Sequence, residues 1–195
     1  YLGALHRSFT FEGSGELVRS TGQGSDTGLV ASGSESDRWL VDYGRQAVDR
    51  LPSDFDPLRD RLGDCLDAAT SGQVTPRLFP WDLRPGNALV TDDAVSTVLD
   101  WERPMAAPPA LSVAKSEYLV ADWYVDEPAP LRAAFRAGYE RVRSLPTVRS
   151  VHRVVAIADS AVDSRGAVTN PGYPERERAA SGDFHRAALS SALPG

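Results

Sequence analysis

Apolar residues recur at helical spacing from Trp39 onward. Trp39, Leu40, Tyr43, Ala47 and Leu51 share one face, and Ser36 stands where an N-cap belongs. A second stripe, Leu58, Leu62, Cys65, Leu66 and Ala69, follows Asp56-Pro57, a cap and first-turn proline, and predicts a helix ending near Gly72. The opening "YLGALHR" also reads as helix. Between these elements, residues 9–35 are rich in Gly, Ser and Thr. There "GELVRS" and "TGLVAS" predict a two-stranded excursion, with "TGQGSDTG" as its mobile, solvated tip. The period then shortens in "PRLFPW", "NALVT" and "VSTVLDW", three β-type runs, with "TDDA" as a hairpin turn between the last two. Helices return in "PALSVAKSEYLVADWY", "APLRAAFRAGYERVRSL" and "TVRSVHRVVAIADSAVDS", and a last one spans about 174–193. Leu131, Ala134, Phe135, Gly138, Tyr139 and Val142 form the stripe of the second of these. The predicted order is two helices, a small β-layer and four helices, with no internal repeat, an α+β and mostly helical class.

Composition narrows the function classes. A net charge of -6 argues against a nucleic-acid backbone as partner, because affinity there comes mainly from Lys and Arg on phosphates. No stretch approaches the length of a membrane-spanning helix and no leader opens the chain, so a cytoplasmic protein is expected. Lys115 is the only lysine, which leaves nearly all positive charge on arginine. Cys65 is the only cysteine; it excludes an internal disulfide and reads as a small core residue. The chain starts at Tyr1 without methionine, and the expectation is that its true beginning is missing.

The chemistry concentrates in "LFPWDLRPGNALV", residues 78–90. Pro85-Gly86 suits the middle of a type II turn, and on the hexapeptide from Asp82 to Asn87 alone a plain turn and a catalytic loop remain equal readings. Asp100, at the end of the following β-run, shifts the balance. Phosphoryl transfer from ATP needs a carboxylate to accept the hydroxyl proton and oxygen ligands to hold magnesium against the phosphates. Kinases supply these as D-x-x-x-x-N on a loop and an aspartate after the next hairpin, the separation Asp82 and Asn87 have here. Elsewhere the signals are plainer. The tip "TGQGSDTG" lacks the third glycine of a phosphate-covering loop, with Thr27 in its place. His6, His152 and His185 are scattered, and neither G-x-S-x-G nor H-E-x-x-H occurs. "ERPMAAPP" reads as a connector, and "NPGYPERER" as a turn with a solvated helix start, near a substrate cleft in one reading. Asp159 and Asp163, one turn apart, read as a solvated or capped helix face.

"WDLRPGNALVTDDAVSTVLDWE" resembles the catalytic segment of the aminoglycoside phosphotransferase family, relatives of choline kinase within the protein-kinase-like fold, whose usual form is H-G-D-L-x-P-G-N-x-L, a hairpin, then I-D-W/F-E/D. "YLGALHR" resembles that family's "LaxLH" helix. The resemblance covers roughly residues 1–145 in order of elements and is specific over 82–102. It implies the C-terminal lobe of a kinase-like fold over residues 1–195, with the β-layer carrying the catalytic loop and the nucleotide lobe absent from this chain. It further implies Asp82 as catalytic base, Asn87 and Asp100 as magnesium ligands, and ATP as phosphoryl donor. Arg84 stands where a basic residue can neutralise the transferred phosphoryl group. The residues binding the nucleotide are not assigned.

Three departures accompany the resemblance. Pro80 and Trp81 replace the family's His-Gly, so the loop's usual histidine brace must come from elsewhere. Ser112 falls where an aspartate of "GDPxxDLA" steadies the loop. Lys115 follows the catalytic segment and by order is not the phosphate-pairing lysine. The expected activity is ATP- and magnesium-dependent phosphorylation of a small-molecule hydroxyl, on an amino sugar or aminoalcohol, with this chain alone inactive. The rivals are a non-catalytic, pseudokinase-like binding module and a metal-dependent phosphohydrolase using Asp82 and Asp100. The acceptor and the oligomeric state have no sequence signal.

Overall fold

The computed structural model describes residues 1–20, 28–33, 38–69, 74–92, 94–123, 125–170 and 178–195. Ser36, most of the glycine-rich tip, the predicted end near Gly72, Asp93 of the hairpin turn and most of "NPGYPERER" lie outside them. Helices dominate: α1 (Leu2–Ser8), α2 (Trp39–Asp49), α3 (Asp56–Asp67), α4 (Pro109–Glu117), α5 (Ala129–Glu140), α6 (Ser150–Ala161) and α7 (Arg178–Ala192). The strands are β1 (Gly15–Arg19), β2 (Leu29–Ala31), β3 (Arg77–Phe79), β4 (Ala88–Thr91), β5 (Ala94–Val98) and β6 (Met105–Ala107). The α+β, mostly helical class is as expected. Among the described residues, no helix is long and apolar enough to cross a membrane.

The β-structure differs from the single layer expected. It divides into an antiparallel sheet of order β2-β1-β6-β3 and a separate β4-β5 hairpin. "ERPMAAPP" is therefore no mere connector. Its Met105–Ala107 forms the strand between β1 and β3, with Met105 opposite both Glu16 and Phe79. The excursion at 9–35 is thereby part of this sheet. Leu78 and Phe79 bury against the core, so β6 fixes where the chain leaves β3 at Pro80 and enters the loop.

Two helices sit at the centre. Every residue of α4 is buried, and so are all of α6 except Ser150 and Arg153. α6 is mostly apolar, and α4 buries Ser112, Lys115, Ser116 and Glu117 beside its apolar residues, so both helices are covered on several sides. α4 runs on through Tyr118–Asp122 as a wider π-type turn. The α3 stripe is as predicted, with Leu62, Cys65 and Leu66 buried. In α2 the face is rotated: Val41, Gly44, Ala47 and Val48 are inside, while Trp39, Leu40 and Tyr43 are half-buried. α5 departs most. Of its predicted stripe only Tyr139 is buried, because the helix lies against α1 and the end of α4 and not in the main core.

All three histidines are structural. His6 Nδ1 hydrogen-bonds the Tyr139 hydroxyl at 2.8 Å, tying α1 to α5. Arg77 and Arg143 both donate to the His6 carbonyl oxygen, at 3.0 and 2.8 Å. His185 joins α7 to the Tyr118 hydroxyl at 2.8 Å. His152 Nδ1 accepts the Arg149 backbone N–H at 3.0 Å, closing the first turn of α6. A buried carboxylate, Glu117, joins three elements: Arg136 of α5 donates to it at 2.7 and 2.8 Å and Arg153 of α6 at 3.3 Å. Burial alone would raise the Glu117 pKa, but these two arginines outweigh it and hold the carboxyl below its usual range.

Two stability tests follow from this packing. A β-carbon on Gly44 would lie 2.6 Å from both Leu66 Cδ2 and Val155 Cγ2, side chains already buried on α3 and α6. Gly44→Ala gains about 1 kcal/mol of helix propensity, yet overpacking of this kind costs about 1–3 kcal/mol. Denaturant unfolding should show a net loss of stability. The other test is pH. Burial, with Arg149 and Arg153 nearby, lowers the His152 pKa from 6.5 to about 4, so the unfolded chain takes up the proton first as pH falls. Its stabilising contribution is full above pH 6.5 and drains away toward pH 4. His152→Gln keeps an acceptor for the Arg149 N–H without the proton. Its unfolding free energy should fall less steeply than wild type across that window.

Candidate active site

The loop begins with a sharp reversal. Trp81 has φ of 33° and the Asp82 N–H donates to the Pro80 carbonyl, closing a three-residue turn. Residues Pro85–Asn87 then wind into a single 3₁₀ turn, closed by the Asn87 N–H on the Arg84 carbonyl at 3.0 Å. The type II turn expected at Pro85-Gly86 does not form. Gly86 does not have a positive φ; apart from Asp92 in the hairpin turn, at 51°, the positive values in this region belong to Trp81 and, at 62°, to Asp100. Both are non-glycine residues in a region that costs of order 1–3 kcal/mol.

The geometry joins the first two predicted residues directly. Asn87 Nδ2 donates to Asp82 Oδ2 at 2.8 Å and to the Asp82 carbonyl at 3.0 Å. With the amide nitrogen so committed, the amide oxygen is the atom left for a cation. Arg84 Nε lies 3.0 Å from Asp82 Oδ2 as an ion pair, without hydrogen-bond alignment. The Asp82 side chain is 19% exposed and that of Arg84 36%, so the pair faces solvent without being free in it.

Asp100 follows the hairpin, one residue past a backbone tie to the loop. The Leu99 N–H donates to the Asn87 carbonyl at 2.7 Å, which binds the exit of the β4-β5 hairpin to the loop. Asp100 is exposed and shares a small cleft of about 70 Å³ with Pro80 and Trp81, the residues immediately before Asp82. Two carboxylates and an amide oxygen are hard donors of the kind Mg²⁺ prefers. Among the described residues, no group of three or more His, Cys, Asp or Glu side chains could hold a metal ion.

Beneath the loop lies what sequence reasoning missed. Asp159 is not on a solvated face; it is 3% exposed, inside the protein. Lys115 of α4, equally buried, is ion-paired and hydrogen-bonded to its Oδ2. Arg50 donates to its Oδ1 at 2.6 Å and the Trp81 indole N–H to its Oδ2 at 3.0 Å. The indole N–H also lies 3.1 Å from the Tyr43 hydroxyl, and Lys115 Nζ sits 4.1 Å from the centre of the Trp81 ring. Burial pushes the Asp159 carboxyl up, but Lys115, Tyr43 and Arg50 together hold it below the ordinary carboxylate range. Burial lowers the Lys115 pKa despite Asp159. Asp163 does match expectation: exposed, it accepts the backbone N–H groups of Arg165 and Ala167 at 2.8 and 3.0 Å. Ser112 is fully buried and its Oγ has no hydrogen-bond partner among the described residues. The one signal that could have found this network was the lone lysine in an otherwise apolar helix face.

The model of the phosphotransferase enzyme family matches residues 14–152, more than half of the chain and all of the loop and hairpin. The chain belongs to that family. Among solved structures, a macrolide 2'-phosphotransferase type I is similar over 94% of this chain and 67% of its own, with 15% sequence identity and a TM-score of 0.40. No curated protein matches the chain. The match spans the loop, the hairpin and Lys115 and ends before Asp159. It does not account for the pairing of Lys115 with Asp159, which is read from the geometry alone.

Breaking the buried pair tests its electrostatics. Asp159→Asn leaves Lys115 without its counter-charge, and such a loss typically costs roughly 3–5 kcal/mol. Lys115→Met should cost less, because Arg50 still pairs with Asp159. In Asp159→Asn the folded lysine holds its proton more weakly than the unfolded one, whose pKa is 10.5, so stability should climb as pH rises toward that value. Chemical denaturation of both variants at several pH values checks the order and the slope.

Proposed function

We propose that the protein transfers the γ-phosphoryl group of ATP to a hydroxyl of a small molecule, with Asp82 as catalytic base. The observation that carries this reading is the joined pair Asp82–Asn87, with Asp100 following one residue after the Leu99–Asn87 backbone hydrogen bond. Family membership supports phosphotransfer as the reaction class. In this reading residues 1–195 form the catalytic and substrate lobe, and the phosphate-covering loop and its lysine come from another part of the protein.

Each residue then has a chemical task. The Asp82 carboxylate accepts the proton of the attacking hydroxyl. Asn87, through its amide nitrogen, fixes that carboxylate's orientation, and its oxygen together with Asp100 would hold Mg²⁺. When bound, magnesium neutralises charge on the phosphates. Arg84 starts in contact with Asp82 and, being partly exposed, is free to turn toward the transferred phosphoryl group. The acceptor class we favour is an amino sugar or aminoalcohol, and the compartment the cytoplasm.

Asp82→Asn keeps size and hydrogen bonding but removes the proton acceptor. In the full-length protein, turnover with Mg-ATP should fall by about a hundredfold or more, with ATP affinity unchanged. Asp100→Asn should instead weaken apparent magnesium affinity along with activity. Wild-type turnover that Asp82→Asn matches would end the assignment of Asp82 as base. Full-length wild type that binds ATP and phosphorylates nothing across a broad hydroxyl panel would favour the non-catalytic relative.

A further inference from the structure

Residues 82–87 have few ties to the body of the protein. Among the described residues, their hydrogen bonds run within the turn from Pro80 to Ala88, apart from the Leu99 N–H on Asn87. Leu83 packs on the small cluster of Leu2, Val113 and Tyr139. The hydrogen-bonded tie comes one residue earlier, at Trp81, while the Lys115 charge also acts directly on Asp82. The Trp81 backbone closes the strained turn that turns Asp82 outward from β3, and its indole ends on Asp159, Tyr43 and Lys115. A tryptophan keeps a φ of 33° only where its surroundings hold it there. Ser112 offers no alternative support, since its hydroxyl bonds to nothing described.

We infer that Lys115 and Asp159 are positioning residues of the loop: acting through Trp81, they hold the turn that sets the Asp82 carboxylate and Asn87 amide. The geometry stands without any assumption about the reaction; its catalytic consequence rests on the function proposed above. Lys115 fixes the plane of the indole by lying against it, and Asp159 fixes its rotation by accepting the N–H. The two act together because the same Oδ2 atom takes both contacts. Arg50 on the other oxygen keeps the carboxylate from rotating away.

The test uses the full-length protein and Mn²⁺ alone as probe. It follows the apparent Mn²⁺ Kd and the amide NMR signals of residues 82–87 and 100, with thermal unfolding measured in parallel. Trp81→Phe keeps a six-membered ring near Lys115 and deletes the N–H together with the rest of the five-membered ring. Trp81→His returns a five-membered-ring N–H. Trp81→Phe should weaken Mn²⁺ on the order of tenfold with little change in unfolding midpoint, and Trp81→His should recover part of the loss. Lys115→Met should displace the 82–87 amide signals although residue 115 contributes no ring current. Unchanged Mn²⁺ affinity in Trp81→Phe, or unmoved loop signals in folded Lys115→Met, overturns the inference. If Lys115→Met does not fold, the Phe and His variants decide it. If wild type shows no Mn²⁺ effect at these residues, the magnesium assignment of Asn87 and Asp100 fails by itself. The Lys115→Met signals, or the Trp81→Phe signals and their recovery in Trp81→His if that variant does not fold, then judge the positioning role.

Discussion

Lys115 and Asp159 meet in the interior on the two central helices, α4 and α6, each residue almost wholly removed from water. Taking two charges out of water costs several kcal/mol per ion, and their attraction repays it only with good geometry and further hydrogen bonds. Here the further bonds come from Arg50 and the Trp81 indole. An apolar pair would pack at least as stably. What an apolar pair lacks is direction: a carboxylate fixed by Lys115 and Arg50 gives the indole N–H a charged acceptor in one place, beside the Tyr43 hydroxyl. The pair therefore specifies the position of residue 81, and through it the path of the chain into Asp82.

That constraint explains how the loop tolerates its unusual sequence. The family form has glycine where Trp81 stands, and glycine adopts positive φ at little cost. Tryptophan does not. The positive φ stands here all the same, and the strain is offset from below, by contacts glycine could never make. The missing histidine at Pro80 and missing aspartate at Ser112 would both leave a loop unsupported. One large aromatic side chain reaching a buried ion pair supplies a different support from a different direction, which weakens the main ground for reading the chain as a non-catalytic relative.

Legibility in sequence followed the range of the interaction. The Asp82–Asn87 pair is local, and its spacing alone puts both groups in one turn, so the loop was readable. The β4-β5 hairpin was readable from its two β-runs and their turn, and with it the chain's return to the loop at Leu99. The α3 stripe was readable from its period. Met105–Ala107 was not: three small or flexible residues between prolines carry no β-signal, and only pairing with β1 and β3 makes them a strand. The α5 stripe misled because periodicity reports an amphipathic face without saying what covers it. Asp159 misled most, since a charged residue on a helix is usually solvated. Its partners come from α2, α4 and the loop, positions that no local window joins.

The two strained residues of the site, Trp81 and Asp100, are not supported alike. Trp81 is half-buried and tied to the core, whereas Asp100 is exposed and at the end of a hairpin whose residues Leu89, Val90 and Val95 are themselves exposed. A left-handed aspartate with its carboxylate toward solvent draws little from packing, so its conformation depends on the chain around it: the Leu99 N–H on Asn87 before it and the Trp101 indole N–H on the Val98 carbonyl after it. The first bond ends on the loop at Asn87, and the second ends on the hairpin. Asp82 with Asn87 is thus tied through Trp81 to the helical core, and Asp100 sits at the end of a two-stranded arm with less packing behind it. A cation shared by the two would add a contact where packing gives least.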